Sequence, residues 1–233
     1  MAQNINKQSL DLSEKEREKA VTYYKLLTTQ LDPHFIYNTM NIINILARQE
    51  AYEDIIKVNT ALTRVLRERL NTQNTTFETI QNEIEALKQY QLIMDYRYHN
   101  QVVVEYEIDE TILDMKIPKN ILQPLMENAY YHGLSTDQGE ILGNIDVLIY
   151  PLEEELVIEI SDNGKGFSPE RLQEIRDNLL HATLHSEKEA HIGMENIYRR
   201  ISYLYGDRFS MDIQSEEGHG SAIILTFPLE PFK

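Results

Sequence analysis

Glycine and proline are distributed unevenly along this chain of 233 residues, and their distribution limits where turns can form. All nine glycines lie at Gly133 or later, and Pro33 is the one proline before Pro118. Because these two residues interrupt helices most strongly, the first part of the chain can form long helices without a break. Tight turns and close backbone contacts are left to the second part. We therefore expect two regions of different architecture.

Composition excludes several classes of protein. The 38 acidic and 22 basic residues give a net charge of −16, which disfavours nucleic acid and anionic membranes as partners because both bind through Lys and Arg. Without cysteine, disulfides, thiolate nucleophiles and Cys-ligated zinc are excluded, which suits a reducing cytoplasm. No uncharged apolar stretch reaches the roughly 18 residues of a membrane span, and no signal peptide is visible. The sequence predicts a soluble, cytoplasmic chain.

Apolar residues recur at helical spacing through residues 13–98. Two series have the three- and four-residue steps of a helix seam: Ala20, Tyr24, Leu27 and Leu31, and then Ile55, Val58, Leu62, Val65 and Leu66. A stretch rich in Asn and Thr at 71–76 predicts a break before a third helix at about 79–98. A hairpin of this kind can pair with a second copy as a four-helix bundle. We assign residues 1–98 to a helical dimerisation domain.

The period of the pattern changes to two after residue 101, as it does in strands. Apolar and polar residues alternate at about 102–108, 144–150, 155–161, 209–215 and 220–228. Helices are predicted from Pro118 to about His132 and from about Ile192 to Tyr205. Mixed helices and mostly antiparallel strands indicate an α+β sandwich, with one sheet beneath a layer of helices. This second domain spans residues 99–233.

The first of four segments that carry chemistry surrounds His34. Asp32 can cap a helix that begins at Pro33, or else Pro33 kinks a continuous helix. Asn38 follows His34 by one turn on the same face. A neutral imidazole is a competent nucleophile, although a lone histidine on a helix is more often an ordinary surface residue.

The second segment places Pro124, Asn128 and His132 on one helical face. The amide oxygen of Asn128 suits Mg²⁺, which prefers oxygen ligands and commonly shares them with phosphates. Taken alone, the segment could equally be an ordinary helix that Gly133 ends as its C′ residue.

The third segment begins with Asp162 at the end of a strand, where a carboxylate can accept a hydrogen bond from the exocyclic amine of adenine. Gly164 and Gly166 let the backbone approach a ligand, although the Asn-Gly pair alone would fit a hairpin turn. The fourth segment has Gly193 at the start of a helix, where amide hydrogens and the helix dipole favour phosphate.

In this order and with these gaps, the segments resemble those of bacterial sensor histidine kinases, in particular the LytS/YesM-like subfamily. The resemblance extends over about residues 25–228. Its boxes are Pro-His-Phe-x-Tyr-Asn, Gln-Pro-Leu-x-Glu-Asn-Ala, Asp-Asn-Gly-x-Gly-Phe and His-Ile-Gly-Met-x-Asn-Ile. It implies a dimeric helical hairpin followed by a sandwich ATP-binding domain of the histidine kinase, gyrase and Hsp90 type.

The resemblance also implies roles for individual residues. His34 would accept the γ-phosphoryl group of ATP, Asn38 would orient a water for dephosphorylation, and Asn128 would help hold Mg²⁺. Asp162 would read adenine, with Ser221 supporting it. The other residues implied around the nucleotide are His132, Gly164, Gly166 and Gly193, with 168–190 as a mobile lid.

Three positions depart from the pattern of this family. Asp32 replaces the usual Asn, and Tyr131 replaces a Lys that relatives often have. Phe35 stands where many histidine kinases have an acidic general base, so the base stays unassigned.

We expect Mg²⁺- and ATP-dependent autophosphorylation of His34, followed by transfer to an aspartate in the receiver domain of a response regulator. The chain would act as a homodimer and form the cytoplasmic part of a membrane-anchored parent, without direct membrane contact of its own. Two alternatives stay open. One is an ATPase of the same fold that makes no phosphohistidine, and the other is a degenerate kinase that serves as a dimeric signalling scaffold.

Overall fold

Helices dominate the first region of the chain, and helices alternate with strands in the second. A computed structural model describes residues 33–70, 75–136, 140–181 and 192–229. The helices there are α1 (Pro33–Arg48), α2 (Tyr52–Leu70), α3 (Ile80–Arg97), α4 (Leu122–Asn128), α5 (Pro169–His181) and α6 (Ile192–Tyr205). The strands there are β1 (Phe77–Thr79), β2 (Val102–Ile108), β3 (Lys116–Pro118), β4 (Gly143–Leu152), β5 (Glu155–Asp162), β6 (Ser210–Glu216) and β7 (Gly220–Pro228).

Helices α1 and α2 form a hairpin, joined by a turn in which Glu50 has a φ of 57°. Each helix buries an apolar stripe: Phe35, Ile42 and Leu46 on α1, and Val58, Ala61, Leu62 and Val65 on α2. The spacing of these residues is the helical spacing seen in the sequence, so the predicted hairpin is confirmed. The predicted seam at 20–31 and the cap at Asp32 lie outside the described residues.

Helix α3 lies between the two regions and packs against both. Thr79 caps its start with a side-chain hydrogen bond. The Tyr96 hydroxyl donates to Asp54 of α2 at 2.6 Å, and the Tyr106 hydroxyl of β2 donates to Gln91 of α3 at 2.8 Å. The third helix is therefore confirmed, whereas the domain boundary at residue 98 stays a prediction.

The short strands β1 and β3 pair antiparallel, with Phe77 opposite Pro118. Pro118 thus ends a strand, and the prediction that it begins a helix is wrong, because α4 starts only at Leu122. Proline lacks an N–H but keeps its carbonyl, so it is tolerated at the margin of a small two-stranded sheet.

The main sheet has the strand order β2-β4-β5-β7-β6. Strands β2 and β4 are parallel, and the other neighbours are antiparallel. Alternate residues such as Ile145, Val147 and Ile149 of β4 are fully buried, in one core with Leu122 of α4 and Ile201 of α6. The five predicted strands lie within two residues of their expected bounds. The α+β class, with one sheet beneath a helical layer, is confirmed.

Helix α5 occupies the first half of the stretch predicted as a lid. The Ser168 hydroxyl caps it by accepting from the Arg171 N–H at 3.3 Å. Ile175 and Leu179 of this helix are buried, and Arg176 donates to the backbone carbonyl of Ile213 at 2.6 Å. Residues Pro169–His181 thus form a packed helix in this structure. That 168–190 acts as a mobile lid stays a prediction, and the rest of that stretch lies outside the described residues.

In the described parts of the chain, none of the helices combines the length and the apolar character that crossing a membrane would require.

Candidate active site

The carboxylate of Asp162 lies at the end of β5 and is almost entirely buried, with 9% exposure. Its Oδ1 accepts from the backbone N–H of Gly164 at 2.9 Å, and its Oδ2 accepts from the Ser221 hydroxyl at 2.6 Å. Ser221 is directly opposite Asp162 in the pairing of β5 with β7. Burial raises the pKa of Asp162, and these hydrogen bonds oppose the rise. The Ser221 N–H also donates to this carboxylate, and since a carboxylate has about four acceptor sites, it is fixed but keeps acceptor capacity for a ligand.

Two glycines hold the loop after Asp162 against the segment that follows α4. A Cβ on Gly133 would lie 2.4 Å from Asp162 Cγ, and a Cβ on Gly164 would lie 2.1 Å from the carbonyl oxygen of Gly133. That oxygen also accepts from the Lys165 N–H at 3.0 Å. Gly133 lacks the positive φ of a C′ glycine, so its interpretation as a helix terminator is wrong. At Gly164 the missing side chain allows a contact within the protein, whereas the sequence suggested the approach of a ligand.

Gly166 and Ser215 fix the far side of the same loop. Gly166 has a φ of 62°, and a Cβ there would lie 2.1 Å from the carbonyl oxygen of Glu216. The Ser215 hydroxyl accepts from the Phe167 N–H and donates to the Gly220 carbonyl, both at 2.8 Å. Sequence reasoning missed Ser215, because its position on a strand resembles that of any solvent-facing serine.

Asn128 ends α4, and the chain continues through a π-helical turn, Ala129–Gly133. Turns of this kind recur at functional sites, and the α-helical pattern used in the sequence analysis did not foresee it. Asn128 Nδ2 is buried and has no hydrogen-bond partner among the residues described. A buried amide without a partner is rare in a folded protein, so this one is available to a ligand. Its oxygen has the chemistry that Mg²⁺ requires.

His132 lies within the π-turn, and Gly193 lies at the start of α6. The His132 side chain is exposed, and the loss of water around part of its ring, together with Lys165, lowers its pKa. Its neutral form is therefore favoured at pH 7. Gly193 is the second residue of α6, so its N–H is among the four at a helix start that have no intrahelical acceptor. This placement is the one expected for a phosphate-binding amide.

Glu83 supports the start of α4 from α3. Its buried carboxylate accepts from the backbone N–H groups of Asn120 at 2.8 Å and Ile121 at 3.3 Å. Burial raises the pKa of Glu83 to about 7, although the hydrogen bonds and Arg200 oppose the rise. The sequence gives no signal for this contact, because 37 positions separate Glu83 from Asn120.

His34 is the second residue of α1 and is exposed. Its Nε2 lies 3.0 Å from Asn38 Nδ2, so the two side chains share a face, as the spacing predicted. The next residue, Phe35, is buried and stacks on Tyr90 of α3 with ring centroids 5.5 Å apart. Tyr90 in turn meets the edge of Tyr130 at 6.2 Å, inside the π-turn. The helix that carries His34 is thus connected through aromatic rings to the segment that carries Asn128.

The predicted site residues fall into two groups. One group surrounds Asp162 and is built from the loop after β5, the start of β7 and the π-turn. The other is the pair His34 and Asn38 on α1. The first group presents a buried acceptor at Asp162 and an amide nitrogen at Asn128 without a partner in the described residues, which suits a nucleotide. The second presents an exposed imidazole.

The regions of the chain that contain the two groups each match a known protein family. Residues 22–102 match the histidine kinase family, and residues 114–231 match the family of histidine kinase-, DNA gyrase B- and HSP90-like ATPases. The sensor protein LytS of Enterococcus faecalis is 29% identical over 206 residues, which cover 88% of this chain and 34% of that protein. The sensor histidine kinase YesM of Bacillus subtilis is 29% identical over 228 residues, which cover 98% of this chain and 37% of that protein. The chain thus spans little more than a third of the length of these relatives.

Among solved structures, the histidine kinase AdeS of Acinetobacter baumannii is 12% identical to this chain. The alignment covers 93% of this chain and 98% of that chain, with a TM-score of 0.47.

Proposed function

The chain belongs to the family of histidine kinase-, DNA gyrase B- and HSP90-like ATPases, and residues 22–102, which precede the ATPase region, match the histidine kinase family; we therefore propose that the chain phosphorylates its own His34 with Mg²⁺-ATP. The phosphoryl group then passes to an aspartate in the receiver domain of a response regulator. The observation that carries the proposal is the presence, in one chain, of an exposed histidine bonded to Asn38 and a buried, fixed carboxylate at Asp162.

Asp162 is the residue that recognises adenine in this proposal. The carboxylate is held by Gly164 and by the hydroxyl and N–H of Ser221, and it keeps acceptor capacity to which the exocyclic amine of adenine can donate. Asn128 fits a magnesium ligand through its amide oxygen, and its buried Nδ2 has no hydrogen-bond partner among the described residues. Bound Mg²⁺ would supply positive charge against the phosphate chain.

The reaction forms one bond and breaks another. His34 Nε2 attacks the γ-phosphorus, and the bond from that phosphorus to the bridging oxygen breaks with its electron pair leaving on ADP. A hydrogen bond from Asn38 Nδ2 to His34 Nε2 requires that Nε2 carry no proton, which is the state in which the nitrogen is nucleophilic. The bond to Asn38 opens as phosphorus approaches, and the proton on Nδ1 leaves afterwards. The general base stays unassigned.

A homodimer is part of the proposal, because α1 and α2 carry a second apolar face outside the hairpin core. The exposed residues on these helices are Tyr37, Met40, Ile45, Tyr52 and Ile56. Pairing two hairpins in a four-helix bundle would remove such a face from water. Light scattering should give the mass of two copies, and a one-copy mass at micromolar concentration would contradict the dimer.

Incubation with ATP labelled at the γ-phosphorus tests the reaction. The wild-type chain should acquire a label that is stable in base and lost in acid, and His34→Gln should acquire none while binding Mg²⁺-ATP as tightly as the wild type. His99→Asn is the matched control, since His99 is exposed in the turn between α3 and β2 with a φ of 54°, which Asn tolerates, and it should label normally.

Each contrary outcome favours one alternative function. ATP hydrolysis without label would point to an ATPase of the same fold. Failure of the wild type to bind Mg²⁺-ATP would point to a signalling scaffold.

A further inference from the structure

Arg97, the last residue of α3, is held against the π-turn by aromatic side chains. Its Nη1 donates to the Tyr131 hydroxyl at 2.8 Å. The guanidinium carbon lies 5.0 Å from the centre of the Tyr98 ring and 5.6 Å from that of Tyr131. A cation over aromatic faces is attracted by their π-electrons, so three contacts fix the orientation of this guanidinium. All three side chains are half-buried.

The charge of Arg97 is not matched by a carboxylate in the ranges that the structure describes. Other basic residues there do form ion pairs, such as Arg64 with Glu85, Arg199 with Glu195 and Lys119 with Glu68. In a chain with 38 acidic residues, a fixed guanidinium held by a phenol and two rings is unusual. A guanidinium has five N–H donors in a planar fork, and the Tyr131 bond uses only one of its nitrogens, so the fork keeps donors for an anion.

Tyr131 links Arg97 to the short segment of chain that also carries Asn128 and Gly133. It lies within the π-turn, three residues after Asn128 and two before Gly133, whose backbone contacts Asp162. Arg97 therefore contacts the same short turn whose flanking residues belong to the nucleotide group. The buried Asn128 Nδ2, which lacks a hydrogen-bond partner in the described residues, is an independent sign that a ligand binds at this level of the turn.

We infer that Arg97 is a phosphate-binding residue of the ATP site and that Tyr131 is the residue that positions it. The inference rests on the proposed function, and it adds a side chain from outside the sandwich to the recognition of the phosphate chain. Arginine recognises phosphate through paired N–H donors. The inference also explains why Tyr131 can replace the lysine of the family pattern. Tyr131 carries no charge itself, but its ring and hydroxyl hold the positive charge of Arg97.

Calorimetric titration with Mg²⁺-ATP, ADP and adenosine tests this inference. Arg97→Gln keeps a donor for the Tyr131 hydroxyl but removes the charge, so the affinity for ATP should fall about tenfold or more while that for adenosine stays unchanged. Arg97→Lys should recover part of the loss, since it restores charge without the fork. Arg67→Gln changes the net charge equally at an exposed site on α2 and should leave all three affinities unchanged.

Tyr131→Phe separates phosphate binding from a purely structural contact. It keeps the ring under the guanidinium and removes only the hydroxyl, so we expect a smaller loss of ATP affinity and a weaker salt dependence than in the wild type. Equal losses for ATP and adenosine in Arg97→Gln, or no loss at all, would overturn the inference. If Arg97→Gln does not fold, the same comparison of ATP affinity with adenosine affinity is made in Arg97→Lys and Tyr131→Phe. A wild type that fails to bind Mg²⁺-ATP would instead remove the proposed function.

Discussion

Asp162 and His34 differ in how firmly the folded chain holds their side chains in place before any ligand binds. Asp162 is buried, bonded to Gly164 and Ser221, and pressed against Gly133. His34 is exposed on α1 and bonds to Asn38 of its own helix. A nucleotide that binds in one orientation benefits from such a fixed site, because the ordering is complete before binding. In the proposed function, His34 meets ATP and then a receiver domain, so it has to stay accessible. The fold therefore fixes the proposed nucleotide-binding carboxylate of Asp162 more fully than the proposed phosphate acceptor, His34.

Asp162→Asn should produce the largest effect, and on the donor side alone. The amide presents a neutral group to the adenine amine, so we expect Mg²⁺-ATP affinity to fall about a hundredfold, or about 3 kcal/mol. The wild type should also prefer ATP to GTP, because guanine has a carbonyl where adenine has an amine. Calorimetry with both nucleotides measures this, and equal wild-type affinities for ATP and GTP would contradict the role of Asp162.

Gly164→Ala should displace the loop that positions Asp162, although the new methyl group would not itself contact ATP. Its Cβ would lie 2.1 Å from the Gly133 carbonyl oxygen, so backbone must shift at a cost of about 2 kcal/mol in the free energy of unfolding. ATP affinity should fall about tenfold as the loop moves. Gly206→Ala is the matched control: its φ is 58° but its Cβ meets no atom within 4 Å. It should cost about 1 kcal/mol and leave ATP binding intact, as denaturant titration and calorimetry can show.

Asn38→Ala should affect the acceptor side alone. Removing the amide leaves the His34 ring without its partner one turn away, so we expect autophosphorylation to slow about tenfold, or about 1.4 kcal/mol in the barrier. ATP affinity should not change. Asn41→Ala, at an exposed position of the same helix, controls for changes in helix propensity. A loss of ATP affinity in Asn38→Ala would mean that the two sides are not separate.

Glu83→Gln should have the smallest effect, visible as a change in pH dependence. Because burial raises the pKa of Glu83 to about 7, the folded chain binds a proton that the unfolded chain has released, and the wild type loses stability as pH rises from about 5 towards 8. Between pH 6 and 8 the loss should be on the order of 1 kcal/mol. Glu83→Gln cannot titrate, so urea unfolding at both pH values should show a smaller decline. Parallel declines would exclude Glu83 as the source.

The sequence foretold most elements of this fold because their signals are local. The three-and-four spacing on α2 and the alternation in β2, β4 and β7 each arise from one element with one buried face. The errors at Pro118 and Gly133 have a different origin. Pro118 is in a strand because Phe77 pairs with it, and Gly133 lacks a side chain because the Asp162 carboxylate occupies that space. Such contacts join positions that are far apart in the sequence, so they produce no periodic pattern of apolar residues that could reveal them.

The same distinction applies to the candidate site. Asp162, Ser221, His34 and Asn38 were named from the sequence and the resemblance, and the structure brings the first two together and pairs the second two. Glu83, Ser215 and Arg97 were missed. Each acts through a residue on another element, namely Asn120, Phe167 and Tyr131, and no spacing within one segment could indicate it.

Locating the phosphoryl group within the chain tests the central claim most directly. After incubation with Mg²⁺-ATP at alkaline pH, where phosphohistidine survives, peptides can be sequenced by tandem mass spectrometry. The group should be found on His34 and on none of the other six of the seven histidines, and it should be absent when Asp162→Asn replaces the wild type at the same ATP concentration. A phosphoryl group on a different residue, or undiminished modification of His34 in Asp162→Asn, would contradict the division of the molecule into donor and acceptor.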